Sequence, residues 1–131
     1  MRRNKAAYNN FVCPFCFRKL NNCICENFPP WNLIFIDEGM QECIIKLNDK
    51  GYRTSGCCES HYKGNPNLYI SFFEMYDFAV KPPAGNKARK HRCDIVYPIP
   101  QKNKEEFERL KAEKIKEILN WIESLPGVNG R

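Results

Sequence analysis

The stretch WNLIFIDEGMQECIIKLNDKGYRTSGCC, residues 31–58, carries the pattern that decides the fold. It starts with WNLIFI, a continuous apolar run that is typical of a strand covered on both faces. Asp37 is placed to cap a helix over residues 38–48, and Gly51 follows the helix end. GYRTSGCC predicts a second strand, and this order of elements predicts a parallel strand pair joined by a right-handed crossover. The buried stripe of the helix consists of Met40, Cys43, Ile44 and Leu47.

The rest of the chain predicts two more strands and a second helix. NLYISFFEMY, residues 67–76, is rich in aromatic and β-branched residues, as strands are. KPPAGNKARKH, residues 81–91, predicts a long loop, and RCDIVY after it predicts a strand. Asn103 and Glu106 resemble a capping box for a helix over residues 104–125. The apolar side of this helix comprises Phe107, Leu110, Ile115, Ile118, Trp121, Ile122 and Leu125.

These elements predict an α+β fold, in which a small mixed sheet of about four strands carries two helices. Residues 31–131 form this domain, and residues 1–30 form a separate zinc-knuckle segment that precedes it. The segment holds four cysteines and few aliphatic residues, so a bound metal is needed to fold it.

The composition predicts a soluble, cytoplasmic protein. Hydrophobic residues make up 43% of the 131 residues, which is enough for a packed core. The longest apolar run, Leu33 to Ile36, is far shorter than the ~20 residues of a membrane span. The N-terminus has no apolar region or cleavage site of a signal peptide. A reducing compartment favours metal binding by clustered cysteines over disulfides.

The first candidate site is the N-terminal cluster CPFCFRKLNNCIC, residues 13–25. Its CxxC and CxC pairs supply four thiolates, which suit a tetrahedral zinc ion. Such a site is closed, so the zinc is expected to be structural. Phe17 stands where zinc knuckles often have a glycine with positive φ. The predicted ligands are Cys13, Cys16, Cys23 and Cys25.

The second candidate site surrounds the sequence CCESH at the exit of the second predicted strand. Cys58 and His61 are spaced as a ligand pair, and a second metal or a Cys–His nucleophile pair are both compatible with the pattern. A buried, unreactive cysteine in an ordinary turn is the alternative. The residues concerned are Cys57, Cys58, His61, His91 and Cys93.

The net charge of +6 is unevenly spread. Residues 1–25 have five bases and no acid, residues 26–80 have eight acids and four bases, and residues 81–131 have twelve bases and seven acids. A localised basic face is typical of nucleic-acid binding, although a solvated loop would look the same. Tyr69, Phe73 and Tyr76 either stack on bases or belong to the core. The candidate contact residues are Arg18, Lys19, Lys81, Lys87, Arg89, Lys90 and Arg92.

Four sequence pieces resemble uncharacterised small proteins encoded by phages and mobile elements of low-GC Gram-positive bacteria: LIFID, IIKLNDKGYRTSGCCESH, LYISF and ILNWIESLP. Many such proteins begin with a cysteine knuckle, and some proteins of this kind inhibit host defence systems. The resemblance implies a location in the host cytoplasm. RTSGCCESH is also similar to a turn of the wybutosine-synthesis tRNA methyltransferases, but His61 replaces the arginine of that turn.

The sequence predicts a small, non-enzymatic zinc-binding protein whose partner is nucleic acid, a nucleoprotein or a host protein. In the context of the resemblance, it would be a phage-encoded modulator of host defence. No catalytic residue is assigned, because the chain has no Gly-rich phosphate loop, HExxH or GxSxG motif. The alternatives are an enzyme acting on RNA or a nucleotide, centred on Cys57, Cys58 and His61, and a structural protein-interaction subunit.

Overall fold

The computed structural model describes residues 11–13, 16–18, 34–89 and 92–128. A single 3₁₀ turn, Glu38–Met40, precedes the first α-helix. Neither α-helix is long and apolar enough to cross a membrane in the described part of the chain. The elements in chain order are β1 (Phe11–Val12), β2 (Ile34–Phe35), α1 (Gln41–Asp49), β3 (Thr54–Glu59), β4 (Asn67–Phe72), β5 (Gly85–Arg89), β6 (Arg92–Pro98) and α2 (Lys104–Ser124).

The main sheet has four strands in the order β3-β4-β6-β5, and every neighbouring pair is antiparallel. Cys57 lies opposite Ile70, which in turn lies opposite Ile95. These three residues therefore share one face of the sheet, and this face packs on the helices. Cys58 and Tyr69 are opposite each other on the other face. The α+β class, with four strands and two helices, is confirmed.

The parallel pairing expected for the first strand is wrong. β2 is only two residues long and pairs antiparallel with β1 in a separate two-stranded sheet. At the outer edge of β3, where the sequence predicted a parallel strand, the side chains of Asn48 and Asp37 bind the backbone instead. The amide of Asn48 accepts a hydrogen bond from Thr54 N at 3.3 Å, and the carboxylate of Asp37 accepts one from Glu59 N at 3.0 Å. These contacts satisfy edge N–H groups that a neighbouring strand would otherwise bind.

Both helices cover the same face of the sheet and form one core. The predicted stripe is buried: it comprises Met40 of the 3₁₀ turn and Cys43, Ile44 and Leu47 of α1. Phe107 and Ile118 of α2 are buried as well. Leu110 and Ile115 lie at the margin of the core. Asn103 caps α2 as predicted, because its side chain accepts a hydrogen bond from Glu106 N at 2.8 Å.

The expected loop over residues 81–91 contains a strand. β5 pairs with β6 from Gly85 opposite Val96 to Arg89 opposite Arg92, so the two strands form a hairpin at one edge of the sheet. Lys87 in this hairpin is exposed, as is Arg92. The hairpin occupies the sheet edge opposite β3.

Lys50 joins the end of α1 to the end of α2. Its ammonium group donates to the carbonyl oxygens of Ile122 and Leu125, both at 2.7 Å, and to that of Glu123 at 3.2 Å. The last carbonyls of a helix have no partner within the helix and carry its negative dipole end. One cation therefore satisfies several of these acceptors at once.

We expect Lys50→Met to lower the free energy of unfolding by about 2 kcal/mol, since hydrogen bonds to charged groups contribute more than neutral ones. Lys46→Met provides the matched control, because Lys46 contacts the Glu123 carboxylate on the surface, where ion pairs contribute little. Urea denaturation of both variants measures the difference. Equal stability of the two variants would contradict the capping role of Lys50.

Stability should fall at alkaline pH because of Cys43. Burial, with a smaller effect of the Glu42 charge, raises the pKa of this thiol from 9.0 to about 12. The folded state thus favours the neutral thiol, so this stabilisation is complete below about pH 9 and is lost as the pH approaches 12. The loss amounts to about 1.4 kcal/mol per pH unit in this window.

Comparison of wild type with Cys43→Ala by urea denaturation at pH 8, 9 and 10 tests this expectation. The variant starts less stable, because it lacks a buried side chain, but its stability should decline less between pH 9 and 10. Parallel declines in the two proteins would show that the Cys43 thiol does not cause the pH dependence.

Candidate metal centre

Three side chains with metal-binding atoms meet at the edge of the sheet. Asp37 precedes the 3₁₀ turn, Cys58 lies near the end of β3, and His61 follows two residues after β3 ends. One ligand atom from each residue lies within 4.8 Å of the others. His61 Nε2 and Asp37 Oδ2 are 3.1 Å apart.

The turn after β3 brings His61 back towards Cys58. Ser60 is fully buried and has a φ of 74°, in the left-handed region that non-glycine residues rarely adopt. The carbonyl of Asn65 fixes this conformation by accepting bonds from Ser60 Oγ at 3.1 Å and His61 N at 2.9 Å. The Asn65 amide also lies 3.5 Å from the sulfur of Cys58. The side chains of Cys58 and His61 are therefore held by one hydrogen-bonded turn.

Asp37 does not cap α1 as the sequence predicted. It makes no side-chain capping bond. Its carboxylate instead accepts the bond from Glu59 N and faces His61. Its side chain is only 14% exposed, whereas that of His61 is 50% exposed. The centre is thus closed on the Asp37 side and open to solvent on the His61 side.

A second set of contacts holds the two halves of the centre together. The Glu59 carboxylate accepts a bond from Gly39 N at 3.1 Å, two residues after Asp37. A Cβ on residue 39 would lie 2.1 Å from the same carboxylate oxygen, so a side chain there would displace the Glu59 carboxylate from Gly39 N. Lys111 of α2 donates to Ser60 O at 3.3 Å. The 3₁₀ turn, β3 and α2 therefore all support the ligand geometry.

The thiols near the centre are protonated at neutral pH. Burial is the main cause that raises the pKa of Cys58, and the charge of Asp37 adds to it. Burial raises the pKa of Cys57 from 9.0 to about 12. Because the thiolate is the nucleophilic form, these shifts disfavour a Cys–His nucleophile pair. A metal ion reverses the balance, since a coordinating thiol is deprotonated.

The donor set suits a metal ion in both type and distance. Asp37, Cys58 and His61 offer oxygen, sulfur and nitrogen, which are the three ligand types found around zinc. Two atoms bound to zinc at about 2.0–2.3 Å lie roughly 3.3–3.8 Å apart in a tetrahedron. The His61–Asp37 separation of 3.1 Å is slightly below this range, and all three ligand atoms lie within 4.8 Å of one another. These three side chains could therefore hold a metal ion.

The other members of the predicted second site lie elsewhere. Cys57 points to the opposite face from Cys58 and packs against the core beside a cavity of about 120 Å³. Cys93 is buried in β6, and its thiol donates to Glu74 O at 3.4 Å. β4 separates β6 from the strand of Cys58. His91 is outside the described residues.

The N-terminal site is described only at its first pair of cysteines. Cys13 is buried, and its carbonyl accepts a bond from Phe17 N at 2.9 Å. Phe17 has a φ of 61°, so it adopts the left-handed conformation expected of a knuckle despite its side chain. Cys23 and Cys25 are outside the described residues, and the four-cysteine zinc site stays a prediction.

The predicted contact residues have different environments. Arg18 pairs with Asp49 at 3.2 Å and donates to Cys16 O, so its charge is partly neutralised. Lys81, Lys87 and Arg92 are exposed, and none of them has an ion-pair partner in the described part of the chain. Lys19 and Lys90 are outside the described residues, as is the side chain of Arg89.

The sequence did not identify Asp37 as a member of this centre. The available signal was an aspartate directly after an apolar run, a position that also fits a helix cap. Asp37 lies 24 residues before His61, so only the tertiary fold brings the two together. The Cys58–His61 pair was recognisable because both residues belong to one turn.

No protein-family model matches the sequence, and no curated protein or solved structure is significantly similar to it. The resemblances to phage-encoded proteins and to wybutosine-synthesis enzymes therefore stay predictions. The geometry of this chain alone supports the function proposed below.

Proposed function

We propose that the protein is a zinc-binding protein that engages nucleic acid. The meeting of Asp37, Cys58 and His61 at the sheet edge is the observation that carries the metal assignment. Sulfur and imidazole ligands favour zinc over magnesium or calcium, which prefer oxygen ligands only. The four N-terminal cysteines would hold a second, structural zinc, and the left-handed Phe17 supports that geometry.

The sheet-edge centre differs from the N-terminal site in its number of ligands. Three protein ligands leave one position of a tetrahedron for water or for an atom of a bound molecule. The exposed side of His61 gives this position access to solvent. The arrangement favours a second candidate function, an enzyme acting on RNA or a nucleotide, in which Cys58 is a metal ligand rather than a nucleophile.

Nucleic-acid binding is assigned to the hairpin of β5 and β6 and the segment before it. Lys81, Lys87 and Arg92 are exposed and lack carboxylate partners in the described chain, so phosphates can approach them without displacing an ion pair. Most described bases of α2 differ in this respect: Arg109, Lys111 and Lys114 all pair with glutamates. The hairpin is therefore the stronger candidate for phosphate contact.

Elemental analysis of protein purified without chelator should give two zinc ions per chain. Cys58→Ser and His61→Ala should each lower the content by one, because each removes a ligand of the sheet-edge centre. Cobalt substitution should give a thiolate charge-transfer band that weakens in Cys58→Ser. Each variant needs a circular dichroism spectrum to show that it is folded.

Cys57→Ala is the matched control, since it removes the neighbouring thiol, which points to the opposite face. It should keep both zinc ions. If Cys58→Ser and His61→Ala retain the wild-type zinc content, the sheet-edge centre does not bind zinc. If Cys13→Ala retains it, the N-terminal assignment fails independently.

Charge reversal at Lys87 and Arg92 tests the nucleic-acid assignment. The double variant Lys87→Glu/Arg92→Glu should bind single-stranded RNA more weakly at ~50 mM salt, where phosphate contacts are strongest. Its salt dependence should also be shallower by a slope of about 1.4, for two lost contacts. Fluorescence anisotropy over a salt series measures both quantities.

Lys102→Glu/Lys116→Glu serves as the control, because it makes the same charge change at two exposed positions in or near α2. It should keep a higher affinity than the hairpin variant. Equal losses in the two variants would mean that binding depends on total charge and not on the hairpin.

A further inference from the structure

A second cavity lies at the other edge of the sheet, away from the metal centre. It has a volume of about 300 Å³ and is lined by Met75, Tyr76, Asp77, Asn86 and Cys93. β5 and β6 contribute Asn86 and Cys93, and the segment after β4 contributes the other three. Its volume is large enough for a planar heterocycle.

One wall of the cavity is rigid and aromatic. The ring of Tyr76 packs edge-on against Phe72 at a centroid distance of 5.6 Å and against Tyr52 at 5.2 Å. Its hydroxyl accepts a bond from Arg53 N at 3.1 Å and donates to the Glu74 carboxylate at 2.7 Å. A wall fixed by so many contacts needs little ordering when a ligand binds.

Met75 contributes a polarisable side chain that is 51% exposed although it is apolar. Thioethers make favourable contacts with aromatic rings. Two residues earlier, Phe73 is 49% exposed, and the guanidinium of Arg53 lies 5.3 Å from the centre of its ring. Exposed aromatic and guanidinium groups side by side are typical of surfaces on which bases stack.

Two polar groups line the cavity from different elements. The carboxylate of Asp77 only accepts hydrogen bonds, whereas the amide of Asn86 both donates and accepts. Both residues are exposed, and neither side chain has a hydrogen-bond or ion-pair partner in the described part of the chain. Their bonding capacity is therefore available to a ligand.

We propose that this cavity binds a guanine base of single-stranded nucleic acid. Guanine presents two adjacent donors, N1–H and N2–H₂, and these match the two oxygens of the Asp77 carboxylate. Its O6 can accept a bond from the Asn86 amide. Adenine, cytosine and uracil have no two adjacent donors on that edge, so none of them can bond both oxygens of a carboxylate.

Two cations lie near the cavity, together with the carboxylates of Asp77 in its lining and of Glu74 bonded to Tyr76. Lys87 directly follows Asn86 in β5 and so lies at the same sheet edge but on the opposite face, and Arg53 lies over Phe73 beside the cavity wall. This inference rests on the nucleic-acid binding proposed above, and adds to it a base and a pocket. The sheet would then present phosphate contacts and base contacts on the same hairpin edge.

The experiment compares the RNA heptamers UUUGUUU, UUUAUUU and UUUUUUU by fluorescence anisotropy at ~50 mM salt. Wild type should bind the guanine-containing heptamer about tenfold or more tightly than the other two, the discrimination that a paired set of base contacts provides. Asp77→Asn should abolish this preference, because an amide cannot accept both donors. Glu105→Gln removes an equal charge at an exposed position at the start of α2 and should retain it.

The alternative outcomes separate the two proposals. Salt-dependent binding with no base preference, or a preference unchanged in Asp77→Asn, would overturn the guanine pocket and leave nucleic-acid binding in place. Failure to bind any heptamer would overturn both. Guanosine monophosphate binding as tightly as UUUGUUU would overturn single-stranded nucleic acid as the occupant and identify a free nucleotide instead.

Discussion

The hydrogen bond between the Asp37 carboxylate and the backbone N–H of Glu59 is the contact on which the rest of the structure depends. It fixes the start of the helical segment to the end of an edge strand. The same carboxylate, only 14% exposed, faces His61. The Asp37 side chain therefore binds a backbone N–H at the edge of β3, where a parallel strand could otherwise have paired. It also provides a ligand atom for the candidate metal centre. Loss of this group would affect fold and site together.

The antiparallel sheet separates the two candidate sites. β3 carries the metal centre at one edge, and the hairpin of β5 and β6 carries the exposed cations and the second cavity at the other. Three strand spacings of about 4.8 Å put the two edges roughly 14 Å apart. Asn86 of the cavity lies opposite Ile95 and so belongs to the face that packs on the helices, whereas Cys58 of the metal centre lies on the other face. The two sites therefore differ both in the sheet edge and in the sheet face at which they lie.

The sequence was most informative where local patterns and burial agreed. The stripe of α1 and the Asn103 cap of α2 follow from residue spacing alone, and both are present. The parallel strand pair was wrong because side chains from the α1 region satisfy the edge of β3, and no periodic pattern reveals such contacts. Asp37 was assigned to a helix cap by a sound local rule. In the structure its carboxylate contacts Glu59 N and His61 instead of the first N–H groups of the helix.

Cys58 shows how burial decides the chemistry of the centre. Burial raises the pKa of its thiol, so without a metal the side chain is a neutral, weakly polar group held by the Asn65 turn. Such a thiol is a poor nucleophile, yet its sulfur lies close to a carboxylate and an imidazole. A divalent cation is the partner that turns this arrangement from unfavourable to favourable, because it offsets the charge of both Asp37 and the Cys58 thiolate. The electrostatics that disfavour a catalytic cysteine thus favour a metal ligand at the same position.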